Sequence, residues 1–451
     1  MSPMNAASLA LAERSAPRYT SYPTSPHFSR EIGDETIRAW LSALDANATL
    51  SLYFHVPFCR EICAFCGCHT KALRQDAPLT SYKETLLREI ELVAGATRAR
   101  RVVSIHWGGG TPGILGASRF HEISETIARH FSIGSETEHS IELDPRVLTQ
   151  EFVEALARSG VNRASLGVQD LNRHVQEASG RVQPYELVAQ SVEWLRGAGI
   201  EAINIDLMYG LPHQSVEDVR RTATLAAGLN PSRLAVFGYA HVPWFKTHQK
   251  LIDAAALAGA AERLAQADAV RETLEDAGFV AIGLDHFARP QDTLTQCWRA
   301  GTLHRNFQGY TVDPADAMLP FGVSSIGKLP QGYIGNAADL AGWRRAIEAD
   351  RFSTNRGLAF SPEDIARGAV IEKLMCRFEV DYGAEATAHG FAEDAFDDAL
   401  PRLQTFFDQG LATLEGRRLT MTPPGRHFVR LAATAFDAYL DRGAARHSAA
   451  V

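Results

Sequence analysis

The amino-acid sequence predicts an α/β protein whose main body is a partial, open barrel of six β/α units. Short runs rich in Val, Ile, Leu and aromatic residues alternate with longer segments that carry apolar residues at helical spacing, a pattern typical of parallel strands joined by helical crossovers. Polar and glycine residues gather directly after those runs, at the end where such a barrel builds its site. We expect strands at residues 51–56, 102–107, 140–143, 163–168, 203–208 and 234–239.

Helices are predicted between these strands, several of them preceded by a Ser, Thr or Asp cap. The crossover helices are expected at residues 79–93, 117–129, 149–158, 185–196 and 215–227. A further helix at 257–277 and a strand at 279–287 lead into glycine- and aromatic-rich loops. The sheet and its helices therefore account for most of the first 290 residues.

The length of 451 residues favours one large catalytic domain with smaller parts attached to it. We assign residues 1–48 to an N-terminal arm, 49–350 to the barrel with extensions that cover a substrate, and 351–451 to a mostly helical, winged-helix-like C-terminal domain. That last part is predicted to contain helices at 362–377 and 393–409, a hairpin at 411–421 and a final helix at 424–440.

The composition excludes several classes of protein. The formal net charge of −8 argues against nucleic-acid binding, as do the acidic residues of the winged-helix-like part. No run of about 18 apolar residues is present, which argues against a membrane span. The start of the chain lacks the apolar core of a signal peptide. We therefore expect a cytoplasmic protein that works as a monomer.

Four of the six cysteines lie within ten residues of each other, which indicates a metal centre rather than an extracellular disulfide framework. Cys59, Cys63 and Cys66 have the spacing CxxxCxxC directly after the first predicted strand. A [4Fe-4S] cluster normally takes four thiolates, so three would leave one iron open to another ligand. The alternative is a zinc site with Cys68 or a histidine as fourth ligand. In the cluster interpretation, we expect Cys68 to point away.

A second motif, GGGTP at residues 108–112, follows the second predicted strand. Together with the cysteine spacing it resembles the radical S-adenosylmethionine superfamily. This resemblance implies that the open iron binds the amino and carboxylate groups of S-adenosylmethionine, and that the reduced cluster releases a 5′-deoxyadenosyl radical from it. The absence of Cβ atoms at the glycines would let the backbone approach the methionyl part closely.

Within that superfamily the chain resembles most closely the oxygen-independent coproporphyrinogen III oxidases. The resemblance extends over nearly the whole length. The segments that carry it are RYTSYPT at 18–24, CGC at 66–68, HWGGGTP at 106–112, ELDPR at 142–146, LGVQD at 166–170, NIDLMYGLP at 204–212, HFARP at 286–290 and LHRNFQGYT at 303–311.

The resemblance implies roles for individual residues of this chain. Those expected to ligate the cluster are Cys59, Cys63 and Cys66, and those expected to act in catalysis are Tyr53 and Glu142. One S-adenosylmethionine would contact Tyr53, Gly109, Glu142 and Ile326. A second would contact Phe65, Gly110, Thr111, Gln169, Arg181, Asp206 and Ala240. For Asp206 and Arg181, an internal ion pair is the structural alternative.

The reaction that the resemblance implies is decarboxylation of the ring A and ring B propionates of coproporphyrinogen III to vinyl groups, which gives protoporphyrinogen IX in heme biosynthesis. Electrons would come from a flavodoxin or ferredoxin system. Four substrate carboxylates need cations, and the candidates are Arg18, Arg146, Arg289, His286, His304 and Arg305. Two alternatives remain open: a related radical enzyme that acts on heme, and a heme-binding trafficking protein with His55 and His106 as axial ligands.

Overall fold

Six consecutive parallel strands form the centre of one large mixed sheet in the computed structural model, which describes residues 6–441 and 448. Every neighbouring pair among the six runs parallel, as crossover helices require. The predicted open six-unit barrel is therefore confirmed. The strands are β1 (Thr49–Val56), β2 (Arg101–Gly109), β3 (Ser132–Leu143), β4 (Arg163–Gln169), β5 (Ala202–Tyr209) and β6 (Arg233–Gly238).

The sheet continues beyond both ends of this parallel core. The order is β12-β11-β10-β9-β1-β2-β3-β4-β5-β6-β8-β7, in which β9 is a seventh parallel strand beside β1 that the sequence analysis did not predict. The strand expected at 279–287 is a short antiparallel pair, with a tight turn at Gly283 whose φ is +59°. The added strands are β7 (Val280–Ile282), β8 (His286–Ala288), β9 (Ala317–Phe321), β10 (Ile326–Leu329), β11 (Gly332–Asn336) and β12 (Thr354–Ala359).

The helices lie close to their predicted positions. Helix α8, for example, begins after Ser215, whose hydroxyl accepts from Asp218 N while the Asp218 carboxylate accepts from Ser215 N. The described helices are α1 (Ala6–Ala12), α2 (Asp34–Ser42), α3 (Ala77–Ala96), α4 (Gly116–His130), α5 (Gln150–Arg158), α6 (Arg173–Ala178), α7 (Tyr185–Gly197), α8 (Val216–Gly228), α9 (Ala260–Asp276), α10 (Thr293–Ala300), α11 (Leu340–Glu348), α12 (Pro362–Arg377), α13 (Tyr382–Ala388), α14 (Leu400–Asp408) and α15 (Val429–Ala433). In the part of the chain that the structure describes, no helix has the length and apolar character needed to cross a bilayer.

Alternation along the strands divides the side chains between the two faces of the sheet. Phe54 of β1 and Trp107 of β2 stack with ring centroids 4.3 Å apart, and Trp107 packs on Phe120 of α4 at 4.9 Å. Their neighbours Tyr53 and His106 point to the opposite face, where they stack on each other. Large apolar residues thus anchor the helices, while the concave face carries polar groups.

A second core joins the two ends of the described chain. Leu11, Tyr19 and Tyr22 pack in the same apolar cluster as α12, α14 and α15. Tyr19 Oη donates to Asp437 Oδ2 at 3.0 Å, and Ala438 N donates to Tyr22 Oη at 3.0 Å. The N-terminal arm is therefore held by the C-terminal helices.

The prediction of one continuous helix at 424–440 is wrong. This stretch instead forms three short helical segments, Pro424–Phe428, α15 and Thr434–Phe436. Residues 428–436 are all buried, so packing on every side, rather than one amphipathic stripe, determines their path. Beside them, the strands Glu379–Asp381, Ala412–Glu415 and Arg418–Met421 form a small antiparallel sheet that includes the predicted hairpin. Residues 1–5, 442–447 and 449–451 of the predicted terminal domains lie outside the described residues.

Candidate active site

A cavity of about 800 Å³ lies at the carboxyl ends of the parallel strands, where the sequence analysis placed the site. Most of the predicted site residues line it, and Tyr53 and Ile326 do not. The residues of the predicted set that line the cavity are Cys59, Cys63, Phe65, Cys66, Gly109, Gly110, Thr111, Glu142, Gln169, Arg181, Asp206 and Ala240. The fold therefore brings together residues that the chain separates by nearly 200 positions.

The cysteine loop begins immediately after β1 and turns tightly on itself. Cys66 N donates to Cys63 O at 3.1 Å, and Ala64 N donates to Ser179 O at 3.1 Å. The short strands Phe58–Cys59 and Lys71–Ala72 pair in parallel at the base of the loop. None of the cysteines in the described chain forms a disulfide, so the thiols remain available as ligands.

Hydrogen-bond donors surround the cysteine sulfurs. Thr111 Oγ1 donates to Cys59 Sγ at 3.3 Å, and Thr70 Oγ1 lies 3.2 Å from the same sulfur. Cys63 Sγ accepts from Arg146 Nη2 at 3.5 Å and from Arg181 Nη1 at 3.4 Å. Donors of this kind stabilise negative charge on sulfurs that ligate a metal, although burial raises the pKa of Cys59.

Cys68 does not point away from the other cysteines, contrary to expectation. It lines the same cavity, and a hydrogen bond from its thiol lowers the pKa of Cys66 to about 6. A thiol that donates to a neighbouring thiolate remains protonated itself, and that bond together with burial raises the pKa of Cys68. Cys68 therefore lies next to Cys66 and within the same cavity.

The donor set fits an iron–sulfur cluster better than the zinc alternative. Three thiols converge on one cavity, each from a different part of a single loop. Among residues 6–441 and 448, no three His, Cys, Asp or Glu side chains are close enough together to hold a single ion. Three thiolates suit a cluster that leaves one iron open, whereas a structural zinc site needs four protein ligands around one ion.

The three consecutive glycines at the end of β2, Gly108, Gly109 and Gly110, are required by close contacts within the protein. A Cβ atom on Gly108 would lie 2.8 Å from Glu142 Oε1, and one on Gly109 would lie 2.7 Å from the His55 ring. Gly109 also has a φ of +103°, which side-chain-bearing residues rarely adopt. On Gly110, a Cβ would overlap Phe58 O. The glycine run thus lets the second loop lie directly against the cysteine loop.

Glu142 is held by neighbours on β2. His106 Nε2 donates to Glu142 Oε1 at 3.1 Å, and Gly109 N donates to Glu142 Oε2 at 3.3 Å. The register that pairs His106 with Ser140 on β3 and Tyr53 on β1 produces this arrangement. Both carboxylate oxygens are thereby oriented at the cavity wall, where they can accept from a bound ligand.

Tyr53 lies behind this wall rather than on it. Its hydroxyl donates to His55 Nδ1 at 3.0 Å, because His55 Nε2 must donate to the carbonyl oxygen of His69 at 2.9 Å. Burial raises the pKa of Tyr53 and lowers that of His55, so both groups are neutral. Phe307, which lines the cavity, packs edge-on against the Tyr53 ring at 4.5 Å.

Arg181 forms an internal ion pair with Asp144, and not with Asp206. An internal ion pair is the alternative to ligand binding that the sequence analysis gives for Arg181. The Nη2–Oδ1 distance is 3.1 Å, and Arg146 holds the same carboxylate at 2.7 Å. Arg181 Nε is buried and has no hydrogen-bond partner among the described residues. This guanidinium therefore keeps a donor for a further acceptor while it contacts Cys63.

Asp206 has only neutral hydrogen-bond partners in the described structure. Ser165 Oγ donates to its Oδ2 at 2.7 Å, and Asn204 Nδ2 donates to its Oδ1 at 2.8 Å. Burial raises its pKa to about 6, and the nearby Glu142 carboxylate acts in the same direction. At the end of β4, Gln169 has a φ of +69°.

The remaining predicted site residues lie around the cysteine loop and the edge of the cavity. Phe65 O accepts from Gln249 Nε2 at 2.9 Å, which joins the cysteine loop to the segment after β6. Ala240 follows β6 and lines the cavity. Ile326 begins β10, next to Ser325, whose hydroxyl donates to Tyr53 O at 3.4 Å.

The fold places the predicted substrate-binding cations in different parts of the molecule. Arg18 and Arg305 lie at the cavity edge, and Arg18 Nη2 donates to Gly238 O at 3.3 Å. Arg146 is engaged beside Cys63. Two other candidates lie away from the cavity, contrary to prediction: Arg289 bonds to Ala277 O at the amino end of the sheet, and His304 Nδ1 lies 3.3 Å from Glu372 Oε1 on the surface. His286, which pairs with Asp285, stays a prediction.

Comparison with known proteins gives the family. The model of the radical SAM superfamily matches residues 53–226. The oxygen-independent coproporphyrinogen III oxidase of Bradyrhizobium diazoefficiens is 46% identical over 440 residues, which cover 97% of this chain and 98% of that protein. This chain belongs to the oxygen-independent coproporphyrinogen III oxidases. The oxidase of Paracoccus denitrificans is 40% identical over 98% of both chains.

The fold agrees with this membership. The solved structure of coproporphyrinogen III oxidase from Escherichia coli, described as a radical SAM enzyme, superposes with a TM-score of 0.89 at 35% identity. The match covers 94% of this chain and 98% of that one. As in its oxidase relatives, the similarity therefore includes the arm and the C-terminal helices as well as the barrel.

The heme-carrier alternative is not favoured. Both ring nitrogens of His55 are engaged, with Tyr53 and with His69 O, and both of His106 are engaged, with Ser140 Oγ at 2.7 Å and with Glu142. A histidine needs a free ring nitrogen to ligate heme iron. The relatives that match over the whole chain carry the oxidase name, which also argues against the heme-acting enzyme.

Proposed function

We propose that this protein decarboxylates the ring A and ring B propionates of coproporphyrinogen III to vinyl groups without oxygen and forms protoporphyrinogen IX. The observation that carries the proposal is the whole-length similarity to oxidases of this name, in a chain whose cysteine and glycine loops meet at one cavity. The protein is accordingly a radical S-adenosylmethionine oxidoreductase of heme biosynthesis.

Cys59, Cys63 and Cys66 would hold the [4Fe-4S] cluster, and the fourth position would remain open for S-adenosylmethionine. When bound, the cluster and S-adenosylmethionine supply the one-electron chemistry that starts a radical reaction. The chain supports this with donors from Thr111, Arg146 and Arg181, which stabilise negative charge on the sulfurs.

We further propose that the cavity binds two molecules of S-adenosylmethionine. A volume of about 800 Å³ is near the upper end of the range for small-molecule sites, which supports more than one ligand. Glu142, with Tyr53, Gly109 and Ile326, would position the first molecule. The second would contact Phe65, Gly110, Thr111, Gln169, Arg181, Asp206 and Ala240. Arg181 Nε and the Asp206 carboxylate offer a donor and an acceptor for its polar groups.

The reaction needs no general base from the protein, because carbon dioxide leaves once a hydrogen atom has been removed, and the one electron that remains passes to an external acceptor. The chain must exclude water and place one propionate beside the radical. The arm helps to exclude water, since its residues 16–21 line the cavity and Tyr19 and Tyr22 are fixed by the C-terminal segment. We also propose a division into an N-terminal arm at 1–48, a barrel with its extensions at 49–350 and a C-terminal domain at 351–451.

The partners and the compartment are also proposals. A flavodoxin or ferredoxin system would reduce the cluster, and the enzyme would act as a monomer without nucleic acid or membrane. The free thiols of the cysteine loop need a reducing compartment, which supports the cytoplasm.

An anaerobic assay tests the function. Protein reconstituted with iron and sulfide is incubated with coproporphyrinogen III, S-adenosylmethionine, reductant and an external one-electron acceptor, and the tetrapyrrole product and carbon dioxide are quantified. Protoporphyrinogen IX and two carbon dioxide per substrate are expected. Cluster-loaded protein that cleaves S-adenosylmethionine but leaves the four propionates intact would overturn the proposal.

A further inference from the structure

A second cavity of about 480 Å³ adjoins the first. Arg18, Tyr239 and Phe307 line both, so the two spaces meet at the end of β6. Cys59, Cys63 and Cys66 line only the first cavity, whereas Cys68 lines both. The second cavity therefore adjoins the cysteine loop but does not include the three proposed cluster ligands.

Cations dominate the wall of this second cavity. Among the described residues, the charged side chains of its lining are five arginines and one carboxylate, in addition to His427: Arg18, Arg263, Arg271, Arg305, Arg430 and Asp285. The arginines come from the arm, from α9, from the segment after α10 and from α15. Since four separate parts of the chain supply them, the cluster is formed only by the folded protein.

Backbone carbonyl oxygens hold several of these guanidiniums in place. Arg18 donates to Gly238 O and Arg305 donates to Arg18 O, both at 3.3 Å. Arg263 donates to Tyr239 O at 2.9 Å, and Arg430 donates to Ala16 O at 2.6 Å. A carbonyl oxygen fixes the direction of a guanidinium without neutralising its charge.

The charge near Arg305 is only partly compensated by the described residues. Arg305 Nε and Nη1 are buried and lack hydrogen-bond partners there. The one acidic residue in the lining, Asp285, is paired with His286 at 2.7 Å and also attracts Arg305 and Arg18, and these three cationic groups lower its pKa. One carboxylate therefore faces several guanidiniums. Burial, and then repulsion from Arg18 and Arg305, lowers the pKa of Arg430 to about 9. Buried donors without partners and mutually repelling cations call for an anionic ligand.

We propose that the second cavity is a carboxylate-binding site that holds propionate groups of the tetrapyrrole other than the one reacting. Arg18, Arg263 and Arg305 are its specificity-determining residues. The planar fork of a guanidinium matches a carboxylate, and the position of the cavity directs the remaining propionate toward the cysteine loop. The site rests on the proposed function, since it assigns the binding mode of that substrate.

The test measures binding of coproporphyrin III, the unreactive aromatic form, to the full-length, cluster-loaded protein without reductant. Arg305→Gln and Arg263→Gln are each expected to weaken affinity by roughly 10- to 100-fold, the effect of losing one charge-assisted hydrogen bond. Arg289→Gln is the matched control, because Arg289 lies at the opposite end of the sheet. It is expected to bind as the unmodified protein does.

A second porphyrin sharpens the assignment. Protoporphyrin IX keeps only the two propionates that do not react, so Arg305→Gln is expected to weaken its binding by a similar factor. Arg18→Gln provides a variant of a side chain that is itself exposed, should the others fold poorly. Unchanged affinity of folded Arg18→Gln, Arg263→Gln and Arg305→Gln for both porphyrins would overturn the inference.

The outcome for this site is separable from that of the proposed function. Turnover by the unmodified protein with arginine-independent porphyrin binding would remove the site and leave the function. Conversely, arginine-dependent binding without any decarboxylation by the unmodified protein would retain the site and remove the function.

Discussion

Arg181 Nη1 lies 3.4 Å from the sulfur of Cys63. The same guanidinium is fixed by Asp144, and Arg146 approaches the sulfur from a second direction at 3.5 Å. Asp144 thus positions two cations at one ligand of the proposed cluster. Hydrogen bonds and positive charge at a ligand sulfur stabilise the reduced, more negative form of a cluster.

Replacing Arg146 by glutamine should lower the reduction potential of the cluster, since one guanidinium leaves the Cys63 sulfur. The measurement is a spectroscopic redox titration of anaerobically loaded protein. Arg158→Gln is the control, because Arg158 is exposed at the end of α5. An unchanged or higher potential in Arg146→Gln would contradict the assignment.

The two cysteines at the end of the loop should respond differently to alanine substitution. Cys66→Ala should abolish the visible absorption of the cluster and all activity, because only two ligands remain. Cys68→Ala should leave the cluster assembled, since the three proposed ligands, Cys59, Cys63 and Cys66, all remain. Iron and sulfide are counted in both variants, and equal loss in both would indicate a four-thiolate site.

Gly109→Ala should destabilise the loop that joins β2 to the cavity, because its Cβ would collide with the His55 ring at a φ of +103°. A loss on the order of 1–3 kcal/mol in the free energy of unfolding is expected. In Gly95→Ala, by contrast, the Cβ on α3 meets nothing within 4 Å, and about 0.5–1 kcal/mol of stabilisation is expected. Urea unfolding of the cluster-free protein compares the two variants. A free energy of unfolding in Gly109→Ala that equals or exceeds that of the unmodified protein would refute the role of the glycine.

Asp206 should make the stability of the cluster-free protein depend on pH. Burial raises its pKa from 3.8 to about 6, so the folded state binds the proton more tightly than the unfolded state. Its favourable contribution is complete below about pH 4 and is lost as the pH rises through 6. Asp206→Asn should therefore raise the free energy of unfolding at about pH 8 by roughly 1–3 kcal/mol and change it little near pH 4. Thermal unfolding at the two pH values measures this difference. Equal shifts at both pH values would contradict the buried, neutral-partnered carboxyl.

The sequence predicts the parallel core well because each strand is an apolar run followed by a polar or glycine stop. It does not reveal β9 (Ala317–Phe321) as a parallel neighbour of β1. That run is only five residues long and contains Pro320, so its periodicity carries little information. Its place is determined by pairing with a strand more than 260 positions earlier, a long-range contact that local pattern does not encode.

The site is predicted where short spacing defines it and missed where distant segments meet. The cysteines and glycines are identified because each motif lies on one loop. Arg263 and Arg430, by contrast, occur within an ordinary helix and an apolar terminal segment, and nothing near them in sequence indicates a cavity. Arg289 does not face the cavity because it follows β8, which runs antiparallel to β6 and therefore ends at the opposite end of the sheet. The sequence motif around Arg289 does not show this strand direction.

The union of the N-terminal arm with the C-terminal helices has a consequence for biosynthesis. Tyr19 cannot reach Asp437 until the ribosome has delivered almost the entire polypeptide, whereas the cysteine loop and its neighbouring strands emerge much earlier. Residues 16–21, which line the cavity, can therefore take their final place only when synthesis of the chain is almost finished. Until then the cavity has no arm to cover it, so it is more open to solvent in the nascent chain than in the finished protein.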